Sequence, residues 1–206
     1  MHKAMSIIYD EHRSISAVLS ALKALADMAQ DRSVRPRFDV FHAMIYYIDA
    51  FPERMHHPKE DKFLFARLLL REPSARGLVE ALQAEHVHGA QLARDLEQAV
   101  IAFERTWPEG AKSFAAAVEA YAEFHWSHMR REEHELMPLA ERALSAADWA
   151  EIDTAFAGNE DPIADLREKD FDSLYQRIVC LAPAPVGLGR PWARAAEPAG
   201  GKPAAL

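Results

Sequence analysis

Apolar residues recur three and four positions apart over four long stretches of this chain, and no stretch of alternating β-branched residues suggests a strand. Ile8, Ile15, Val18, Leu19, Leu22 and Leu25 mark an amphipathic helix over residues 5–28. A connection over 30–37, with Pro36, leads to a second helix that starts near Phe38 and carries Phe41, Ile45, Ile48 and Phe51. Pro52 and Pro58 interrupt it. A proline inside a helix removes one hydrogen bond and crowds the carbonyl four residues back, so a kink is expected here, with a break into two shorter helices as the alternative. Leu64, Leu68 and Leu69 carry the stripe on to Arg71. Ser74 is placed to cap a third helix striped by Leu78, Leu82, Ala93, Leu96 and Val100. After Trp107-Pro108-Glu109-Gly110 a fourth runs over about 111–143 through Phe114, Val118, Tyr121 and Leu136, with a late kink expected at Pro138. Four long helices joined by short turns lie mostly antiparallel, which predicts an all-α, up-down-up-down four-helix bundle.

Ser145 opens a short helix to Phe156, ended by Gly158-Asn159. Asp161-Pro162 can open another, broken before Phe171 and resumed through Leu174, Ile178 and Val179. The expected organisation is a bundle over 1–145, helices packed on it over 146–181, and a Pro/Ala/Gly-rich tail over 182–206, extended or disordered on its composition.

Composition narrows the chemistry. Hydrophobic residues make up 50% and charged ones 27% of 206 residues, the balance of a soluble globular domain. No apolar run is long enough to span a bilayer, and Met1-His2-Lys3-Ala4 leads into a charged helix rather than a secretory signal, so a cytoplasmic location with no membrane partner is the expectation. The net charge of −8 and the absence of a basic stripe argue against nucleic acid. Cys180 is the only cysteine, which rules out an internal disulfide and a Cys-rich zinc site. A metal in this protein must therefore be held by histidine and carboxylate.

Such residues occur in a duplicated pattern. His56-x-x-x-Glu60, followed four residues on by Leu64, returns as His128-x-x-x-Glu132 followed by Leu136. Residues i and i+4 lie on one helix face, so each copy stacks an imidazole above a carboxylate, a ligand pair for a metal ion. A lone histidine precedes each copy in matched context, Glu11-His12 and Glu85-His86; the lone histidines are 74 positions apart and the paired ones 72. An isolated histidine on a helix stripe is more often a core residue than a ligand, and this double match of context and spacing reverses that reading for His12 and His86. Helical bundles that bind two metals draw inward-facing ligands from four helices in this way.

These residues resemble the hemerythrin-like, or HHE cation-binding, domain family over roughly residues 1–145. The count of two histidines and one bridging glutamate per half is especially similar to its di-iron stress-repair members. The resemblance implies a non-haem centre of two iron ions, with His12, His56, Glu60, His86, His128 and Glu132 as metal ligands and Glu60 and Glu132 as bridges. Each ion would receive two histidines and keep one or two positions open. Ligand types alone also suit zinc, and manganese remains open. The implied partners are oxygen, nitric oxide or peroxide, bound or turned over, with iron handling in a stress response in the same range. A di-iron enzyme or iron donor for cluster repair is one alternative, and a metal-free structural or interaction bundle another. A homodimer or a protein partner is left open. Oxygen-carrying hemerythrins use five histidines, with the extra one a turn from the lone histidine of the second half; here positions 90 and 82 are Ala and Leu, which weighs against a simple reversible oxygen carrier.

The remaining candidates are weaker. Glu133 competes with Glu132, and the repeat favours Glu132. His125, three before His128, and its repeat equivalent Glu53, three before His56, are candidates for a supporting shell or an added ligand. His57, equivalent to Met129, is turned about 100° from the ligand face and is expected outside the site. His88 points away from His86, and His2, His42 and His134 carry no matched signal. Tyr46, Tyr47 and Tyr121 could line the approach to the metals, although aromatics at helical spacing are more often core.

Overall fold

The computed structural model describes residues 2–157 and 178–194. Four long helices form an antiparallel bundle: α1 (Lys3–Met28), α2 (38–71), α3 (Arg76–Thr106) and α4 (111–143). Each packs on its sequence neighbour, and α1 closes the ring on α4. A fifth helix, α5 (Ala146–Ala157), lies across one end against α1 and α2. Among the described residues there is no strand beyond two isolated bridges, so the expected all-α bundle is what forms.

The prolines of α2 do not break it. The helix runs from Phe38–Ile48 into a π-helical stretch, Asp49–His56, then one α turn, His57–Lys59, a second π stretch, Glu60–Phe65, and a last α segment, Ala66–Arg71. In the first π stretch the His57 N–H donates to the Pro52 carbonyl, five residues back. This wide turn absorbs the missing donor and the bulk of Pro58 without ending the helix. In α4 the same device precedes Pro138: Glu132–Leu136 is π-helical and the Met137 N–H donates to the Glu132 carbonyl. One π stretch begins at Glu60 and the other at Glu132, so the duplication seen in sequence is also a duplication of backbone geometry.

Two details depart from the sequence reading. Ser74 does not cap α3; it sits in a short 3₁₀ turn, Pro73–Ala75, and its hydroxyl bonds Glu72. Residues 182–194, placed in the expected tail, pack on the bundle instead. Trp192 is buried against Phe41, the Arg35 N–H donates to the Ala193 carbonyl at 3.0 Å, and the Gly189 N–H to the Ala182 carbonyl at 2.7 Å. A tryptophan offers enough apolar surface to hold a proline-rich segment down. The helix expected to open at Asp161 and the residues beyond 194 lie outside the described residues.

The core divides in two. One apolar cluster gathers the C-terminal half of α1, the start of α2, the C-terminal half of α3 and the first part of α4, with Phe41, Phe103 and Phe114 at its centre. The other gathers the opposite ends of these helices with Trp149, Ile152 and Phe156 of α5. Full burial of each such side chain contributes about 1.5–3 kcal/mol. Ser145 and Asp148 fix α5 through a reciprocal cap, and Arg71 donates to Asp148 from α2. Between the clusters lies a layer of buried histidines and carboxylates.

Candidate metal centre

Each helix brings one part of this layer. His12 sits on α1 between Ile8 and Ile15, His56 and Glu60 on α2, His86 on α3, and His128 and Glu132 on α4; all six are at most 6% exposed. They form two groups of four. His12, His56, Glu60 and Glu132 present one ligand atom each within 4.8 Å of one another, and so do His86, His128, Glu60 and Glu132. Both carboxylates belong to both groups.

The nitrogens converge in pairs. His12 Nε2 lies 3.1 Å from His56 Nε2, and His86 Nε2 lies 3.1 Å from His128 Nε2. Carboxylate oxygens surround them: Glu132 Oε2 at 3.3 Å from His12 Nε2, Glu132 Oε1 at 3.3 Å from His128 Nε2 and 3.5 Å from His86 Nε2, and Glu60 Oε2 at 3.5 Å from His56 Nε2. Two nitrogens each about 2.1 Å from one ion at a right angle stand about 3 Å apart, the spacing found here. Glu60 Oε2 and both oxygens of Glu132 are buried and have no hydrogen-bond donor among the described residues. Buried carboxylate oxygens without donors, facing paired imidazole nitrogens, fit a cation bound between them.

The outer nitrogens are also taken. His56 Nδ1–H donates to Glu11 at 2.8 Å and His128 Nδ1–H to Glu85 at 2.9 Å; His12 Nδ1–H donates to Glu133 at 2.9 Å and His86 Nδ1–H to Asp61 at 3.1 Å. A carboxylate on Nδ1 fixes tautomer and ring orientation and leaves the Nε2 lone pair for a metal. These four carboxylates were not recognised in sequence as a set. Their signal was present: Glu11 and Glu85 immediately precede the lone histidines, and Asp61 and Glu133 immediately follow the paired glutamates. Glu133 therefore stands outside the centre, holding His12, while Glu132 stands inside.

Charge in the layer is balanced among these groups. Burial opposes protonation of His12, but Glu132 and Glu133 outweigh it and raise the histidine to about 9. Burial likewise opposes His86, and Asp61 and Glu132 raise it to about 9. Burial, then Glu132, pushes Glu60 well above the ordinary carboxylate range. For Glu132 burial acts the same way, yet His128, His12 and His86 together hold it well below that range.

His57 is found elsewhere than expected. It is buried, its ring lying flat on His86 with centroids 4.3 Å apart and planes 12° apart. The wide turns of α2 account for this, since 100° per residue no longer describes a π-helical stretch. Glu53 and His125 are buried on the same side: the Tyr121 hydroxyl donates to Glu53 Oε1 at 3.0 Å, and His125 Nε2 and His57 Nδ1 each lie 3.4 Å from a Glu53 oxygen. Neither Glu53 nor His125 is in the two four-donor groups. Of the other tyrosines, Tyr46 is half exposed and Tyr47 is core. His88 and His134 are exposed, His42 pairs with Glu104, and His2 stacks on Trp149. On the other side of the centre an open groove of about 520 Å³ is lined by His12, Arg13, Ser16, Ala17, Ser20 and Glu133.

No helix among the described residues is long and apolar enough to cross a membrane. No curated protein matches the chain at a significant level. Residues 3–140, which hold all six inward-facing donors, match the hemerythrin HHE cation-binding domain, and the chain belongs to that family.

Proposed function

We propose that this protein is a non-haem di-iron protein whose two ions share Glu60 and Glu132, with His12 and His56 on one and His86 and His128 on the other. The observation that carries this is the sharing itself: two four-donor groups of the same composition have both carboxylates in common. Two anionic bridges offset the repulsion between adjacent cations. Such a pair, when bound, supplies open coordination positions and one-electron chemistry for a small molecule, and oxygen, nitric oxide and peroxide are the ligands that fit. The protein's part is to turn the four Nε2 atoms inward by outer carboxylates and to keep bulk water out with the apolar clusters at both ends. The groove beside His12 gives such a ligand a short approach from solvent. Six intact, buried donors weigh against a metal-free structural bundle, and the likeness to stress-repair members makes iron handling under oxidative or nitrosative stress the role to test first.

Expression with iron followed by metal analysis should give two ions per chain; less than one tightly held ion per chain overturns the reading. Anaerobic reduction, then oxygen, peroxide or nitric oxide, separates the roles. A reversible change in the visible spectrum identifies a binding protein, and repeated consumption of the added molecule identifies an enzyme.

A further inference from the structure

The two halves are alike in their inward donors and unlike in what borders them. The place held by Met129 in one repeat is held by His57 in the other. One ring nitrogen each of His57, His86 and His128 lies within 4.8 Å of the other two, a third donor group besides the two that share the glutamates. His57 also shares the arrangement of the four converging histidines: it is buried, and its Nδ1 is turned to a carboxylate, Glu53 Oε2 at 3.4 Å. The contact is looser than the other four, and Nδ1 has no hydrogen-bond partner among the described residues. The ring is held by packing, flat on His86 and among His56, His125 and His128, rather than by a hydrogen bond.

The geometry points to His57 as a third imidazole donor for the His86–His128 half, so that this half is a three-nitrogen position that fills first and favours a nitrogen-preferring divalent cation such as Zn²⁺. This rests on the two-metal reading above and adds to it that the two positions are unequal. Imidazole donors suit zinc and copper at least as well as iron, so a third nitrogen raises affinity for such ions in one half alone. Among the described residues no third histidine joins the other half, where the repeat has Met129, whose thioether is a poor partner for zinc.

Titration of the chelator-stripped full chain with Zn²⁺ under competition by a chelator of known affinity tests this, with Co²⁺ absorption reporting coordination number. The wild type should bind two ions in steps separated by roughly 10- to 100-fold, the size of effect that groups around a metal site commonly have. His86→Gln should remove the tighter step and His12→Gln the weaker one. His57→Met, which copies the residue of the other repeat, should merge the two steps at the weaker affinity, and Met129→His should merge them from the other direction. His57→Gln repeats the measurement should the methionine variant lose its helical signal. Steps unchanged in the His57 variants overturn the inference, as does a tighter step that survives His86→Gln. Wild-type protein that takes up less than one zinc ion overturns the two-metal reading instead, so the two failures are told apart.

Discussion

The half of the centre built on His12 and His56 and the half built on His86 and His128 correspond residue for residue in what holds the rings, and differ in what surrounds them. Glu11 with Lys59 beside it corresponds to Glu85 with Arg131, and Glu133 on His12 corresponds to Asp61 on His86. Beyond that shell the correspondence stops. The first half opens through Glu133 to a groove. The second is covered by His57, His125, Glu53 and Tyr121, whose counterparts in the repeat are Met129, Glu53, His125 and Asp49. The shared residues are those a pair of metals needs, and the differing ones can make two otherwise equal positions behave differently. On the two-metal reading proposed above, that inequality would let a small molecule reach one ion and not the other.

The largest effect should come from removing what the halves share. Glu60→Ala or Glu132→Ala leaves four neutral imidazoles facing two cations with one anion fewer, so both ions should be lost together, and metal content should fall below one per chain. His12→Ala or His86→Ala should instead empty mainly its own half. A glutamate variant that retains one full-strength ion would show that the carboxylates are not shared.

The outer carboxylates come next. Glu11→Ala should weaken the first half and Glu85→Ala the second, each by roughly 10- to 100-fold in metal affinity. Glu133→Ala and Asp61→Ala should act on His12 and His86 in the same way, with Asp61 the smaller because its bond is longer. Titrating the four stripped variants against one chelator decides this; equal loss from both halves in every variant would mean that the outer shell acts on the bundle rather than on single rings.

What was legible in the sequence follows from which periodicities survive in the fold. The four stripes of apolar residues and the His-x-x-x-Glu pairs were readable because helical spacing projects them onto one face, and duplication at offsets of 72 and 74 lifted His12 and His86 out of the ordinary run of core histidines. The prolines gave notice that α2 is irregular, but the form of the irregularity depends on its packing: the chain takes wide π turns and stays continuous through the layer of buried histidines and carboxylates. His57 was misplaced for that reason alone. Glu11, Glu85, Asp61 and Glu133 are duplicated as plainly as the ligands, yet a carboxylate on a helix surface has so many ordinary uses that only its hydrogen bond to a buried ring distinguishes it. The packing of 182–194 was hidden by composition, with Trp192 the one residue that signalled it.

Proton linkage offers a third, smaller contrast. His12 and His86, one in each half, are both raised to about 9 from an ordinary value near 6.5. A histidine raised on folding stabilises the fold fully below about 6.5, and this is lost as pH climbs through about 9. The stripped protein should therefore melt at progressively lower temperature from pH 6.5 to 9. Metal requires the neutral rings, so its binding tightens over the same window. The gap in melting temperature between loaded and stripped protein should widen with pH, and His12→Gln and His86→Gln should each remove part of that widening. A gap constant from pH 6.5 to 9 would mean that neither histidine loses a proton when the metal binds.

The smallest expected effect belongs to Gly89, which lies in α3 beside the second half, where the repeat has Ile15 beside the first. A Cβ at Gly89 would stand 3.2 Å from His125 Nε2, 3.3 Å from His125 Cε1 and 3.3 Å from Phe124 Cε1, so the ring must give by a few tenths of an ångström. In the other direction, alanine in a helix interior is favoured over glycine by up to about 1 kcal/mol. The two nearly cancel, and Gly89→Ala should shift the melting temperature by no more than about 4 °C, the shift that about 1 kcal/mol gives in a domain of this size. Its mark should fall on the second half alone, as a change of under about tenfold in the His86–His128 affinity, because His125 leans on Glu53 and Glu53 on His57. Gly89→Leu cannot be housed by so small a movement and should dislodge His125, weakening that half further while the His12–His56 half keeps its affinity. Equal weakening of both halves by the leucine variant would show that the His125 side is coupled to the whole bundle and not to one ion.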